Sequence, residues 1–136
     1  MLKKDDWISI LRLATRWCFL NIRKIAIKKL ETSGLPHLEN IILGREMKLS
    51  KRLIEGYAGV VASPDAISDE DAAVIGWQTT VKLFRLREKT YSSRKMSWAG
   101  LVPLLSEKIR DALKDELSGI LAEEKLYDTD FDYQPD

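Results

Sequence analysis

The sequence contains one cysteine and one histidine among its 136 residues. An intrachain disulfide is therefore excluded, and so are zinc sites that need several Cys or His ligands. No apolar run approaches the ~18 uncharged residues of a membrane-spanning helix. Charged residues also interrupt the N-terminal segment before a signal-peptide core could form. We therefore expect a cytoplasmic or nuclear protein that does not associate with membranes.

The seven glycines lack the spacing of a phosphate-binding loop and that of a dinucleotide-binding loop. Gly56 and Gly59 lie inside a helical pattern, where they predict close helix packing or a kink. Acidic residues occur in short runs such as Asp69 to Asp71. Neighbouring positions on a helix point about 100° apart, so these runs are not expected to converge on one ion. The sequence predicts neither a cofactor nor a metal site.

Cys18 and His37 are the residues from which a cysteine–histidine nucleophilic dyad would have to be built. The helical pattern places Cys18 at the end of an apolar stripe and His37 just after Pro36, at a helix start. Free cysteine is among the most buried residue types, so a buried cysteine and a surface histidine are the plainer interpretation. We predict no catalytic residues and a protein that is not an enzyme.

The net charge of +1 conceals a strong asymmetry along the chain. Residues 1–52 contain 12 Lys/Arg and 5 Asp/Glu, a balance of +7. Residues 53–136 contain 10 Lys/Arg and 16 Asp/Glu, a balance of −6. The two halves are therefore expected either to neutralise each other within the fold or to leave a charged surface for an outside partner.

Helical periodicity of apolar residues runs through almost the whole chain. A composition of 45% hydrophobic and 32% charged residues suits a soluble protein with a packed core. We predict an all-α fold of about six helices packed as antiparallel hairpins in a single domain over residues 1–126, with a disordered acidic tail over 127–136. The predicted helices cover about 6–17, 20–31, 36–47, 50–62, 69–90 and 103–126, with a loop over 91–102.

Each predicted helix carries an apolar stripe. In the fourth helix the predicted buried positions are Leu53, Ile54, Tyr57, Ala58 and Val61. In the second they are Ile22, Ile25, Ala26 and Leu30. The fifth has Ala73, Trp77, Thr80 or Val81, Phe84 and Arg87 on one stripe, and the sixth has Leu105, Ile109, Leu113, Leu117 and Ile120 or Leu121. Ser50 and Ser68 are predicted N-caps.

Two groups of residues are candidates for a partner surface. The first is a basic cluster on the second predicted helix, Arg23, Lys24, Lys28 and Lys29. The second is Trp98 with nearby Met96, because an exposed aromatic beside a methionine suits a protein partner. A protein partner is the leading hypothesis. Nucleic acid is the alternative for the basic half, although a sequence pI of about 7.8 is low for a dedicated nucleic-acid binder.

Residues 7–90 also resemble a known family. The resembling segments are Leu11–Leu30 with Trp17 and Arg23, then Ile41–Glu46, Leu53–Tyr57, Ile67–Ser68, Ala72, Ile75–Gly76 and Leu83–Glu88. Their order and spacing resemble the helices that follow the BTB/POZ core in fungal BTB-domain proteins, a BACK-like region.

Two departures from that family pattern stand out. The β/α BTB core, which precedes these helices in the family and carries dimerisation, is not part of this sequence. The turn Ala62–Ala66 lacks the arginine and the proline placement of the family pattern. The resemblance implies a helical interaction module that acts as an adaptor. It implies no catalytic residue, and it does not extend to cullin binding, a contact that the family makes largely through the core.

Overall fold

The computed structural model of the chain describes residues 2–63, 66–92 and 98–132, of which 91, 92, 98–104 and 128–132 are described by their backbone alone. Over these ranges the chain forms helices and no strand, which confirms the predicted all-α class. The helices are α1 (Lys4–Arg16), α2 (Leu20–Glu31), α3 (His37–Met47), α4 (Ser50–Ala62), α5 (Asp69–Ile75), α6 (Trp77–Ser92), α7 (Trp98–Ala112) and α8 (Lys114–Asp132).

The first four helices form two hairpins, α1 with α2 and α3 with α4. The connections are so short that the members of each pair run in opposite directions. Each connection contains a residue with positive φ, Cys18 at 57° and Lys48 at 59°. A left-handed residue directly after a helix reverses the chain and redirects backbone N–H groups to the last carbonyls. The amide of Leu49 accordingly donates to the carbonyl of Gly44 over 2.9 Å.

Glycines let α3 and α4 pack closely, as the sequence predicts. A methyl group built on Gly44 would lie 2.8 Å from the backbone nitrogen of Leu53. One built on Gly56 would lie 2.8 Å from the carbonyl oxygen of His37, and the His37 ring packs directly against Gly59. The contacts at Gly44 and Gly56 involve backbone atoms and are shorter than a carbon contact tolerates, so the helices could not lie this close with a larger residue at these two positions.

The predicted fifth helix is divided at Gly76, whose φ of 99° suits glycine alone among the residue types. Ser68 caps α5, as predicted, by accepting a hydrogen bond from the Asp71 amide over 3.1 Å. The Gly76 amide still donates to Ala72, and its carbonyl accepts from Thr80. Both backbone groups of Gly76 are therefore hydrogen-bonded although the first of the two helices ends there.

The predicted sixth helix is also divided, at buried Leu113, so the six predicted helices correspond to eight within the described ranges. Helix α7 begins at Trp98, five residues before the predicted start at Pro103, which shortens the predicted loop. Helix α8 is described through Asp132, beyond the predicted helix end at 126. The remaining residues of the acidic tail, 133–136, lie outside the described residues, and disorder of the tail stays a prediction.

Two hydrophobic clusters hold the helices together. The larger one is built on Ile41, Leu53 and Tyr57, which meet Leu83 from α6 and Ile109 from α7. The smaller one lies under the α1–α2 hairpin; its buried members are Leu11, Ala26, Leu30, Leu35, Leu43, Met47 and Leu49. Because α3 contributes Ile41 to one cluster and Leu43 to the other, the α3–α4 hairpin joins the two halves of the fold. In the described part of the chain, no helix is both long and apolar enough to cross a membrane.

Some of the predicted apolar stripes are fully buried, and others are partly exposed. All five predicted positions on α4 are buried, as are Leu105, Ile109, Leu113, Leu117 and Ile120. On α2, Ala26 and Leu30 are buried but Ile22 and Ile25 are 45% and 51% exposed. Ser50 is the first residue of α4 and not its cap, because the N-cap position is taken by Leu49.

Candidate interaction surfaces

A groove with a volume of about 580 Å³ lies between α2, α4 and α8. We call it the α2–α4–α8 groove. Its lining residues are Leu20, Arg23, Lys24, Ile27, Lys28, Glu31, Leu49, Lys51, Arg52, Glu55, Glu124 and Tyr127. Pockets for small ligands fall in this size range, and a mixture of apolar walls with a few charged groups is typical of them.

Arg23 belongs to the interior of the fold and not to an exposed basic surface. Its side chain is 3% exposed, and its Nη1 donates to the hydroxyl of Thr15 over 2.7 Å. Its guanidinium also lies over the ring of Tyr127, 4.1 Å from the ring centre. Arg23 therefore joins α1, α2 and α8 where the groove is formed, through a hydrogen bond and a cation–π contact.

Arg52 is the second buried arginine of the groove. It is 7% exposed, and its Nη1 donates to Oδ1 of Asn40 over 3.0 Å. Its Nη2 is buried and has no hydrogen-bond partner among the residues that the structure describes. The Asn40 amide nitrogen makes only a long contact, 3.5 Å, with the carbonyl of Leu35. A buried guanidinium with a neutral partner is uncommon, since buried charges are usually paired.

The predicted basic cluster is therefore divided by the fold. Lys24 and Lys28 line the groove as exposed side chains, Arg23 lines it as a buried one, and Lys29 is exposed elsewhere on α2. Lys51 and Arg52 come to the groove from α4, so it contains five basic residues and three acidic ones, Glu31, Glu55 and Glu124. The partner surface predicted from the sequence does not include Arg52. A signal was present, because Arg52 lies between Leu49 and Gly56 on the face of α4 that packs inward.

The opposite charges of the two chain halves meet inside the fold. Lys48 and Glu123 form a salt bridge of 3.0 Å between the α3–α4 turn and α8. Nearby, the Ser50 hydroxyl donates to Glu124 over 2.7 Å. Arg45 and Glu116 form a third contact between the halves, at 3.1 Å. Part of the charge asymmetry is thus neutralised within the fold, the first of the two alternatives that the sequence leaves open.

The stripe Trp77, Val81 and Phe84 lies on α6 as predicted, but it faces solvent. These side chains are 73%, 38% and 42% exposed. We call them the α6 stripe. The buried side of this helix instead consists of Thr80, Leu83 and Leu86. The apolar arc of α6 is wider than the face that the core can cover, so one part of it packs inward and the other remains exposed.

A second exposed apolar group lies at the corner between α1 and α2. Leu13, Trp17 and Phe19 are 57%, 65% and 52% exposed. The rings of Trp17 and Phe19 are 6.3 Å apart and tilted by 34°, a separation typical of aromatic pairs. We call these three residues the α1–α2 corner.

Cys18 lies at this corner and is exposed, so the prediction of a buried cysteine is wrong. The helical pattern placed it on the core side of α1, but its left-handed backbone turns it out of that helix. His37 is exposed, as predicted. Within the described residues, no group of three or more His, Cys, Asp or Glu side chains is arranged to hold a metal ion.

The other predicted anchor is only partly described. Trp98 is the first residue of α7 and is described by its backbone alone, while Met96 lies outside the described residues. A partner surface built on these two residues stays a prediction.

The chain matches no protein-family model, and neither a curated protein nor a solved structure matches it significantly. The resemblance to the helices that follow BTB cores rests on the sequence pattern of residues 7–90 and stays a prediction.

Proposed function

We propose that the chain is a non-catalytic interaction module that binds another protein through the α6 stripe. The observation that carries this proposal is the spacing of Trp77, Val81 and Phe84, which places three large apolar side chains on one exposed face of a helix. Helices recognised by a protein groove present apolar anchors at this spacing. Tryptophan is also among the residues that contribute most to binding energy at interfaces.

The sequence favours an adaptor role for this interaction module. The α6 stripe falls within residues 7–90, the part of the chain that resembles the BACK-like helices of fungal BTB proteins. Helices of that kind connect partners and perform no chemistry, and a cytoplasmic or nuclear site of action is consistent with such a role.

The two exposed tryptophans provide a matched test. Trp17→Ala and Trp77→Ala remove the same side chain from two exposed apolar surfaces, at 65% and 73% exposure. The amount of each protein captured from a cell extract would be compared between the wild-type chain and the two variants. Each selected partner would then be purified, and its affinity for the wild type and for both variants would be measured by calorimetry. We expect Trp77→Ala to weaken binding at least about tenfold, the usual effect of truncating an interface anchor. Trp17→Ala should bind as the wild type does.

Thermal melting separates a lost contact from a lost fold. Both tryptophans lie outside the core, so each variant should keep its stability to within about 0.5 kcal/mol. Equal binding by wild type and Trp77→Ala would contradict the proposed face, and a loss confined to Trp17→Ala would move it to the α1–α2 corner. Trp98→Ala tests the other anchor that the sequence predicts, with weaker capture and an unchanged melting transition as the expected result.

Nucleic-acid binding is a second candidate function, favoured by the basic residues that line the α2–α4–α8 groove. Lys24, Lys28 and Lys51 would contact phosphates, but three carboxylates lie among them. A titration with single-stranded and double-stranded oligonucleotides at increasing salt tests this function, because phosphate contacts make affinity fall steeply with salt. The absence of binding at low salt would eliminate it.

A further inference from the structure

The charge of Arg52 is poorly compensated by the described part of the protein. Its hydrogen-bond partner is the neutral side chain of Asn40, and its Nη2 has none. No described carboxylate lies within salt-bridge distance of its guanidinium. Burying an ion without a counter-charge is unfavourable, and the cost falls when an anion comes close.

The groove beside Arg52 provides room for such an anion. Lys28 of α2 and Lys51 of α4 line it together with Arg52. Attraction between an anion and the buried guanidinium would be screened less by salt than attraction at an open surface. These three basic residues therefore favour a negatively charged group seated against the α4 wall.

The remaining lining residues indicate what the rest of the ligand is like. Leu20, Ile27 and Leu49 give the groove an apolar wall, and Tyr127 of α8 adds an aromatic ring. The carboxylates of Glu31, Glu55 and Glu124 also line it. They would repel a polyanion that runs along the groove, whereas a ligand with a single anionic head can avoid them.

We propose that the α2–α4–α8 groove binds a small organic anion, a carboxylate or phosphate head attached to an apolar chain, with the head beside Arg52. The volume of about 580 Å³ accommodates a ligand of this kind. This site is separate from the α6 stripe and does not depend on the proposed protein partner.

Binding is tested on the full chain with four probes, octyl phosphate, octanoate, 1-octanol and inorganic phosphate, by calorimetry and by the amide shifts of ¹⁵N-labelled protein. We expect one saturable site for octyl phosphate or octanoate, with shift changes concentrated at the residues that line the groove. The relative affinity of these two probes identifies the head group. Inorganic phosphate and 1-octanol should each bind at least about tenfold more weakly, because each lacks one half of the ligand.

Neighbouring lysines provide the matched control. Lys28→Ala removes a charge that lines the groove, whereas Lys29→Ala removes the same charge from the next residue of the same helix, outside the groove. We expect Lys28→Ala to weaken the affinity for the preferred probe about two- to fivefold, which is the usual contribution of an exposed charge. Lys29→Ala should leave its affinity unchanged.

Arg52→Met removes the buried charge and keeps an apolar side chain of similar length. We expect it to weaken binding about ten- to a hundredfold, the effect of losing a buried charged partner. If Arg52→Met fails to fold, the comparison of Lys28→Ala with Lys29→Ala still tests whether the groove binds the anion.

Three results would overturn the proposal. The first is equal affinity of 1-octanol and octyl phosphate, and the second is equal weakening by Lys28→Ala and Lys29→Ala. The third is binding of a single-stranded oligonucleotide in the groove without binding of any of the four probes, which would make the groove a nucleic-acid site.

Discussion

Arg45 of α3 and Glu116 of α8 form a salt bridge, with Nε and Oε2 3.1 Å apart, although 71 residues of chain separate them. Arg45 also donates to the hydroxyl of Tyr57 over 2.8 Å and to the carbonyl of Val74 over 3.2 Å. Tyr57 in turn donates to the other oxygen of Glu116. One network therefore joins α3, α4, α5 and α8 at the point where the basic and acidic halves of the chain meet.

A double-mutant cycle measures the energy of this network. We expect Arg45→Met to lower the free energy of unfolding by about 1.5–3 kcal/mol, because it removes hydrogen bonds to a partly buried carboxylate. The coupling between Arg45→Met and Glu116→Gln should exceed about 1 kcal/mol in urea denaturation. The exposed pair Lys4 and Glu39, 3.3 Å apart, is the control and should couple by less than about 1 kcal/mol. Equal coupling in both pairs would contradict a special role for the network.

Tyr57 makes the stability of the fold sensitive to alkaline pH. Its side chain is fully buried, and burial, followed by the hydrogen bond to Glu116, raises the pKa of its phenol well above the ordinary value. The folded state thus favours the protonated phenol more than the unfolded state does. This contribution is complete below the unfolded pKa of about 10 and is lost as pH rises toward the folded pKa.

The measurement is urea denaturation between pH 8 and pH 11.5, with Tyr57→Phe as the reference. Above pH 10 the wild type should lose up to about 1.4 kcal/mol of stability per pH unit in excess of what Tyr57→Phe loses. The reference removes the contributions of the lysines and of the other tyrosines. Parallel curves for the two proteins would show that Tyr57 does not titrate differently in the folded state.

The bend between α5 and α6 depends on the backbone of Gly76. A methyl group there would contact nothing within 4 Å, but the φ of 99° is unfavourable for any L-residue with a side chain. We expect Gly76→Ala to destabilise the protein by about 1–2 kcal/mol through backbone strain alone. Gly34→Ala is the control, because Gly34 also has open space around it and its φ lies outside that region. Thermal melting should show no loss for Gly34→Ala.

The helix-forming segments could be predicted from the sequence, because the spacing of apolar residues along the chain indicates a helix without any knowledge of tertiary contacts. The stripe Leu53, Tyr57 and Val61 is buried as predicted, since α4 is surrounded by α3, α6, α7 and α8. The α6 stripe shows the limit of this reasoning. Periodicity reveals that Trp77, Val81 and Phe84 share a face, but only tertiary packing decides whether another helix covers that face. The burial of Arg23 could not be predicted for a related reason, because it depends on Tyr127, a partner far along the chain.

Close contact between α3 and α4 gives the last prediction. A methyl group on Gly44 would lie 2.8–2.9 Å from the backbone and Cβ of Leu53, which cannot move without shifting the first turn of α4. We expect Gly44→Ala to lower the free energy of unfolding by about 1–3 kcal/mol, the usual cost of overpacking. Gly119→Ala on α8 is the matched control, because its methyl group would contact nothing within 4 Å. That variant should gain up to about 1 kcal/mol, since alanine favours a helix over glycine. Urea denaturation of both proteins measures the two effects, and a neutral Gly44→Ala would mean that the α3–α4 hairpin is less tightly packed than the structure shows.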